Sequence, residues 1–257
     1  MPSIARTERA NPAAFIAGQL LFIARLSVII VSLIAAVILH NLWQLFRQAS
    51  PWPRLFLLSV SWTSGIATAT TGSRIRRNVF YASNHHSWID IPVISGVTGC
   101  TFVANDGIES WPLIGWLCSI NNTIFVSREN RLSVGDQIDD LRAAMTGDQP
   151  VTIFPEGTTS DGSGLLPFKA SLFAALVPPP LGMMVQPVFL TYGRHASRVA
   201  WVGDEKVTEN FWRLLSYWKP ITATLNFLEP FDPALFPDRK AISAEVRSRI
   251  GLAMERN

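Results

Sequence analysis

A long apolar segment near the amino terminus limits what this chain can fold into. Residues Phe15 to Leu45 are almost entirely apolar, and Arg25 is the only formally charged residue among them. The part without charge, Leu26 to Leu45, has 20 residues, which is about the length that a transmembrane helix needs. The segment predicts membrane attachment, either as a spanning helix or, because Arg25 divides it, as a pair of shorter helices within one leaflet.

Two other interpretations of this segment stay open. A cleaved signal peptide would also begin with arginines and an apolar core, although no small-residue cleavage site is evident. A buried helix of a soluble domain would have a similar composition. The positive-inside rule does not fix an orientation, because arginines flank the segment on both sides: Arg6, Arg9, Arg47 and Arg54.

The rest of the chain has the composition of one globular domain. Two prolines break the apolar pattern, so we predict an anchoring segment over residues 1–53 and a globular domain over residues 54–257. The net charge is only +3, and no stretch interleaves basic and stacking aromatic residues, so we expect no nucleic-acid binding. Cys100 and Cys118 lack the spacing of a metal site and indicate a reducing, cytoplasmic compartment.

Strand-like and helix-like segments alternate along this domain. Short β-branched or apolar runs predict strands, and amphipathic or proline-terminated runs predict helices. The predicted strands are 78–82, 101–104, 123–126, 151–154, 183–192, 199–202 and 221–228. The predicted helices are 55–67, 111–120, 132–146, 170–177, 209–218 and 239–255. This alternation predicts an α/β fold with a mostly parallel sheet flanked by helices, and chemistry at the turns that follow strands.

A histidine and an aspartate follow the first predicted strand. His85 and Asp90 converge if a turn opens into a helix between them. A neutral imidazole is an effective general base near pH 7, and a neighbouring carboxylate holds its tautomer and stabilises the imidazolium. The spacing alone also fits a structural histidine or, with His86, a metal site. The remaining histidines, His40 and His195, do not complete such a site.

A glycine-containing turn follows the predicted strand 151–154. Proline and glycine favour a sharp turn, and Gly157 permits the close approach of a ligand. Backbone N–H groups there could hold an anion or a developing oxyanion, and Glu156 could bind a hydroxyl group or an arginine. A plain turn with a capping threonine fits equally well. The run is Phe154-Pro155-Glu156-Gly157-Thr158-Thr159-Ser160.

These two segments resemble blocks of the 1-acylglycerol-3-phosphate acyltransferase family, part of the wider glycerolipid acyltransferase superfamily. Residues 84–90, Asn-His-His-Ser-Trp-Ile-Asp, resemble the NHxSxxD block, and residues 154–158 resemble the FPEGT block. The similarity covers about Phe80 to Val188. Further stretches resemble the family at 111–116, at 124–128 (a middle block that ends in arginine), at 166–169 and at 186–188 (a final strand with proline).

The resemblance implies a membrane-bound lysolipid O-acyltransferase, with residues 54–257 as its acyltransferase domain. His85 would be the general base and Asp90 its orienting carboxylate. The donor would be acyl-CoA or acyl-carrier protein, the acceptor would be 1-acylglycerol-3-phosphate, and no metal or organic cofactor is expected. The anchor would hold the enzyme at the cytoplasmic face of the cell membrane. The expected substrate-binding residues are Asn105, Arg128, Glu156, Gly157, Thr158, Thr159 and Lys169.

Two positions depart from the family's pattern where it usually carries a cation. Asn105 stands in place of lysine and Thr159 in place of arginine. A charge-assisted bond to a phosphate is worth about 1.5–3 kcal/mol, so an acceptor without a phosphate monoester, such as lyso-ornithine lipid, is the alternative. Arg128 and Lys169 remain as cations. A group of three arginines could also approach the acceptor: Arg74, Arg76 and Arg77.

Two other classes of function were weighed against acyl transfer. A non-catalytic lipid-binding relative is disfavoured because His85 and Asp90 are both present. A serine hydrolase would need Gly-x-Ser-x-Gly at a turn between a strand and a helix, whereas this chain has Gly162-Ser163-Gly164.

Overall fold

A mostly parallel sheet of seven strands forms the centre of the computed structural model, which describes residues 12–105, 107, 112–126, 134–147 and 149–257. The strands are β1 (Ile66–Thr71), β2 (Val79–Ser83), β3 (Thr101–Asn105), β4 (Ile124–Val126), β5 (Val151–Ile153), β6 (Met184–Thr191) and β7 (Ile221–Phe227). The helices are α1 (Pro12–Trp43), α2 (Trp52–Thr63), α3 (Asp90–Thr98), α4 (Pro112–Ile120), α5 (Val134–Met145), α6 (Ala196–Val199), α7 (Val207–Leu215) and α8 (Arg239–Glu255).

The strand order confirms the predicted α/β fold. Across the sheet the order is β1-β7-β6-β2-β5-β3-β4. Every neighbouring pair is parallel except β6 and β7, which run antiparallel. Parallel strands need helical crossovers, and those helices cover both faces of the sheet.

Side chains that alternate along β2 separate the core into two layers. Tyr81 points to the face covered by α2, α3 and α7, where it packs with Val60, Ile94 and Leu214. Phe80 points to the other face, where it packs with Phe173 and with residues of α5 and α8. Since β2 is buried along its whole length, the turn that follows it starts from a rigid element.

The apolar amino-terminal segment folds as one continuous helix that pairs with α2. The Oγ atoms of Ser32 and Ser59 lie 3.3 Å apart, and His40 Nδ1 lies 2.9 Å from Ser50 Oγ. Since residue numbers rise along one helix as they fall along the other, α1 and α2 form an antiparallel hairpin. The break between two helices thus lies after Trp43, and the expected break at Arg25 is wrong.

Arg25 is satisfied by the protein. Its Nη1 atom donates to the carbonyl oxygens of Leu214, Leu215 and Tyr217 at distances of 3.5, 3.2 and 2.8 Å. These carbonyls end α7, where the helix has acceptors without an intrahelical partner and a partial negative charge. The ring of Phe22 also packs on Trp212, with 4.8 Å between centroids. Together these contacts dock α1 on helix α7.

The outer surface of the hairpin is apolar and exposed. No residue of α1 is buried, so a buried helix of a soluble domain does not fit. The segment Pro12–Phe46 is the one described stretch that is long and apolar enough to cross a membrane. Exposed side chains include Phe15, Ile16, Leu20, Ile23, Val31, Ile34, Ile38 and Leu42 of α1, and Leu55, Leu58 and Trp62 of α2.

Strand β1 occupies part of a segment predicted as helical. The prediction ran the helix to residue 67, but α2 ends at Thr63 and β1 begins at Ile66. Gly65 between them has a φ of +81°, a conformation that glycine adopts at low cost and that ends helices. The β-branched residues that follow then pair in parallel with β7.

The predicted strand 199–202 is wrong. Val199 ends α6, and the following backbone bonds to groups outside the sheet. The Ala200 carbonyl accepts from Asn210 Nδ2 at 3.1 Å and from Arg213 Nη2 at 2.6 Å, and Trp201 N–H donates to the His86 carbonyl at 2.8 Å. Because these groups are already satisfied, strand propensity does not decide the local structure.

Candidate active site

Three neighbouring strands bring the predicted chemistry to one edge of the sheet. Strand β2 lies between β5 and β6 and runs parallel to both. Their carboxyl ends therefore meet at the same edge. His85 follows β2, Glu156 follows β5 and Tyr192 follows β6.

Asp90 is the centre of a buried hydrogen-bond network. Its side chain is fully buried, and it is the first residue of α3. Oδ2 lies 2.8 Å from His85 Nδ1 and accepts the backbone N–H groups of His86 at 2.5 Å and Ser87 at 3.0 Å. The Tyr192 hydroxyl donates to Oδ1 at 2.6 Å. Both carboxylate oxygens are thus held in place.

These contacts keep Asp90 ionised. Burial by itself raises the pKa of this carboxyl, but the hydrogen bonds from His85 and Tyr192, with the nearby imidazole of His86, bring the pKa below its ordinary value. Burial and the neighbouring carboxylate raise the pKa of Tyr192 well above its ordinary value. Tyr192 is therefore a hydroxyl donor and Asp90 an acceptor, which suits the tautomer of neutral His85 that carries its proton on Nδ1 and a lone pair on Nε2.

The His85 ring is supported on one side and accessible at its edge. It stacks on Phe154, with 3.8 Å between ring centroids and 12° between planes. Phe154 stacks in turn on Phe102 at 5.6 Å. The His85 side chain retains 16% exposure, so part of the ring can be reached from solvent.

Glu156 links the two motif-bearing loops. Oε1 accepts the backbone N–H of His85 at 3.0 Å, and Oε2 accepts that of Leu166 at 3.1 Å. The residue is only 2% exposed. Burial raises the pKa of its carboxyl, and the hydrogen bonds from Leu166 and His85 oppose that rise. The structure therefore places both oxygens on backbone amides, and the expected contact with an acceptor headgroup stays a prediction.

Gly157 and Lys169 lie together at the turn. Gly157 has a φ of +66°, and its N–H donates to the Phe154 carbonyl at 2.9 Å. A Cβ atom at this position would lie 2.5 Å from Lys169 Nζ. The backbone of Lys169 is tied to the turn as well, since its N–H donates to the Pro155 carbonyl at 2.8 Å. The sequence made the Gly157 amide a candidate oxyanion donor. In the structure this amide closes the turn, and the ammonium group of Lys169 lies beside it.

The remaining predicted residues are distributed around this turn. Thr158 is exposed, and the Thr159 hydroxyl donates to the Trp201 carbonyl. Ser160 donates to the His85 carbonyl through its N–H at 2.8 Å and its hydroxyl at 3.1 Å. Arg128 and the side chain of Asn105 lie outside the described part of the structure.

The three arginines that were expected near the acceptor lie away from His85. Arg74, Arg76 and Arg77 precede β2, whereas His85 follows it. Since a strand rises about 3.3 Å per residue, the length of β2 separates the two sites, and the arginines lie at the amino edge of the sheet. They therefore do not lie beside His85, and their approach to the acceptor stays a prediction.

Sequence reasoning missed two residues that shape the site. Tyr192 holds Asp90, as described above. Asn84 ties the end of β2 to β6, because its side chain donates to the Leu190 carbonyl and accepts the Leu190 N–H, both at 2.8 Å. The sequence signal for Tyr192 was its place at the end of a predicted strand, because functional side chains gather at the carboxyl ends of parallel strands.

Within the described ranges, no three His, Cys, Asp or Glu side chains come together in a possible metal site. Cys100 and Cys118 are both free thiols.

Comparisons with known proteins show which family this chain resembles. Residues 67–191 match a family model described as acyltransferase. A lyso-ornithine lipid O-acyltransferase from Rhizobium meliloti is 35% identical over 189 residues, 68% of this chain and 64% of that protein. A second one, from Rhodobacter capsulatus, is 32% identical over 73% of this chain and 71% of that protein. A 1-acyl-sn-glycerol-3-phosphate acyltransferase from Neisseria gonorrhoeae is 33% identical, with 67% and 68% covered.

A solved structure shares the fold. The crystal structure of the 1-acyl-sn-glycerophosphate acyltransferase PlsC from Thermotoga maritima aligns with a TM-score of 0.64, covering 95% of this chain and 97% of that one at 22% identity. This chain spans slightly less than two thirds of the Rhizobium relative and slightly more than two thirds of the other two relatives. The sequence relatives and the family match together show that the chain belongs to the acyltransferase family and is an acyltransferase.

Proposed function

We propose that this protein is a lysolipid O-acyltransferase in which His85 is the general base. The observation that carries the proposal is the 2.8 Å contact between His85 Nδ1 and a buried carboxylate oxygen of Asp90, which leaves Nε2 free to accept a proton. An alcohol is a weak nucleophile until its proton is removed. In a lysolipid acyltransferase the acceptor hydroxyl itself supplies the nucleophile.

The reaction follows from this arrangement. His85 Nε2 takes the proton of the acceptor hydroxyl while that oxygen attacks the thioester carbonyl carbon. The tetrahedral intermediate collapses with cleavage of the C–S bond, and the imidazolium returns the proton to the departing thiolate. Asp90 stabilises the imidazolium while it exists, and Tyr192 keeps the carboxylate ionised and oriented.

The donor is proposed to be a thioester, either acyl-CoA or acyl-carrier protein. A thioester is already activated for acyl transfer, so the steps above require no metal or organic cofactor. Lys169 lies beside the Gly157 turn, where its charge would attract an anionic group of either substrate.

For the acceptor, Thr159 favours lyso-ornithine lipid over the lysophosphatidic acid predicted from sequence. The Thr159 hydroxyl is bonded to the Trp201 carbonyl, so this position presents no cation to a phosphate monoester. The relatives from Rhizobium meliloti and Rhodobacter capsulatus are named for lyso-ornithine lipid, and the Neisseria gonorrhoeae relative for 1-acyl-sn-glycerol-3-phosphate. Both acceptors belong in the same assay.

The hairpin of α1 and α2 is proposed to hold the enzyme at the cytoplasmic face of the cell membrane. Its exposed apolar side chains suit the acyl-chain region of a bilayer. The helix is tied to α7 by Arg25, so an embedded hairpin would keep the domain close to the lipid surface. Both lipid substrates would then be available at that surface.

The base assignment is tested by His85→Ala in the purified full-length protein. We expect roughly a 10²–10⁴-fold loss of acyl transfer, the contribution typical of a general base, with unchanged membrane binding and thermal unfolding. The matched control is His195→Ala, because the ring of that histidine faces Tyr217 and its side chain has no described hydrogen bond to His85 or Asp90. Normal transfer by His85→Ala would refute the mechanism.

Acceptor choice is tested by offering lyso-ornithine lipid and lysophosphatidic acid separately to the wild-type enzyme with acyl-CoA. A higher kcat/KM for lyso-ornithine lipid is expected. A clear preference for lysophosphatidic acid would refute the acceptor assignment and leave the mechanism intact. Release of free fatty acid without either acceptor would indicate a hydrolase.

A further inference from the structure

The arginines at the amino edge of the sheet belong to an unusual stretch of sequence. No Asp or Glu occurs between Glu8 and Asp90, although this stretch contains seven arginines. It includes the whole α1–α2 hairpin and strands β1 and β2. The positive charge of the chain is thus unbalanced locally, on the same elements that carry the exposed apolar surface.

Two of these residues, Arg54 and Arg74, meet at the carboxyl end of α3, and two more follow directly in the chain. We call the four residues the arginine surface: Arg54, Arg74, Arg76 and Arg77. Arg54 donates to the carbonyls of Gly96 and Val97, both at 3.0 Å, and Arg74 donates to the same Val97 carbonyl. Burial lowers the pKa of Arg74, Tyr81 opposes that shift, and the like charges of Arg76 and Arg54 lower it further. Arg74 is therefore close enough to Arg54 and Arg76 for their like charges to repel.

The described residues supply no counter-charge to the arginine surface. None of the salt bridges found among them involves any of its four members. Arg54, Arg76 and Arg77 are exposed. A concentration of like charge without a carboxylate is unfavourable unless an anion binds to it, so this surface is suited to an anionic ligand.

The tip of the hairpin lies beside this surface. Arg54 is in the first turn of α2, directly after the connection that bears Leu45, 78% exposed, and Phe46, 67% exposed. Apolar side chains next to arginines match a bilayer boundary, where acyl chains lie beside charged headgroups. A small anion in solution would bind the arginines without any need for apolar side chains beside them, so the apolar tip favours a membrane surface.

We propose that the arginine surface binds anionic phospholipid headgroups of the membrane that holds the hairpin. The inference rests on the proposed membrane attachment but not on the catalytic role of His85, since the surface lies at the opposite edge of the sheet. Its contacts would add an electrostatic component to apolar insertion. The surface would also set the tilt of the domain, because it anchors the hairpin tip while Arg25 anchors α1 to α7.

The experiment compares binding of full-length protein to vesicles of phosphatidylcholine alone and of phosphatidylcholine mixed with phosphatidylglycerol, at low and high NaCl. We expect preference for the anionic vesicles, weakened by salt. A basic residue near an anionic surface contributes roughly fivefold, so Arg76→Gln/Arg77→Gln should lower the preference about tenfold or more. The matched control is Arg239→Gln/Lys240→Gln, which removes the same charge from α8 on the other face of the sheet.

Four outcomes of these binding measurements would overturn the inference. Wild-type binding that ignores phosphatidylglycerol would overturn it, as would full preference in Arg76→Gln/Arg77→Gln or equal loss in the α8 control. If the glutamine variant misfolds, Arg76→Lys/Arg77→Lys must keep the preference, because it keeps the charge; loss there would overturn the inference too. Acyl transfer in neutral detergent micelles, measured on the same preparations, tests the proposed function separately and should not change.

Discussion

Replacing Tyr192 by phenylalanine should shift the pH dependence of acyl transfer. The change removes the hydroxyl that donates to Asp90 Oδ1 at 2.6 Å and little else, because the ring still packs against His86 at 5.5 Å. Without this donor the ionised carboxylate is less stable, so the pKa of Asp90 should rise. The acid limb of kcat/KM, which requires ionised Asp90, should move to higher pH.

The size of this shift follows from the strength of the lost bond. A hydrogen bond to a charged group contributes about 1.5–3 kcal/mol, and one pKa unit corresponds to about 1.36 kcal/mol. The limb should therefore move upward by about 1–2 pH units. The shift is that of the Asp90 carboxyl, whose pKa the Tyr192 hydrogen bond lowers in the wild type.

The assay is kcat/KM for Tyr192→Phe and wild type across the acid and neutral range. Tyr81→Phe is the matched control, since Tyr81 is also buried but its hydroxyl donates to the Ile75 carbonyl. Tyr81→Phe should leave the limb in place. If Tyr192→Phe lowers kcat/KM equally at every pH and the acid limb stays in place, Tyr192 contributes only packing. That result would refute the reasoning.

Three further substitutions test the turn, the acceptor and the hairpin. Gly157→Ala introduces a side chain at positive φ and against Lys169 Nζ; we expect a cost of about 1–2 kcal/mol and lower activity, and an unchanged Tm and rate would contradict this. Thr159→Arg should raise kcat/KM for lysophosphatidic acid relative to lyso-ornithine lipid; an unchanged ratio would exclude contact with the headgroup. Arg25→Leu leaves the Tyr217 carbonyl without its donor and should cost about 1–3 kcal/mol, seen as a lower Tm; an unaltered Tm would contradict the docking role.

Much of the fold was predictable because the elements are encoded locally. The strands ending at Ser83 and Ile153 are short apolar runs closed by turn residues, and α8 shows a helical repeat, so all three were found. The prediction errors lie where groups distant in the sequence determine the local structure. Residues 199–202 have strand propensity, but α7 side chains take their backbone acceptors.

The proposed base and its carboxylate were predictable for a similar reason. His85 and Asp90 are near in sequence and belong to one turn and helix start, so their spacing carries the geometry. Tyr192 is 102 residues from Asp90 in the chain, and no local pattern connects them. Only the parallel order of β2 and β6 brings that hydroxyl to the carboxylate.

The sequence by itself determined the class of fold, the apolar amino-terminal segment and the pair of residues suited to acyl transfer, because each depends on periodicity or on neighbours in one short segment. The tertiary structure decided which contacts those residues make. It placed Glu156 on backbone amides, Arg25 on the end of α7, and the arginine surface at the edge opposite His85. The physical reason is that buried polar groups and charges must be satisfied, and the available partners come from distant parts of the chain.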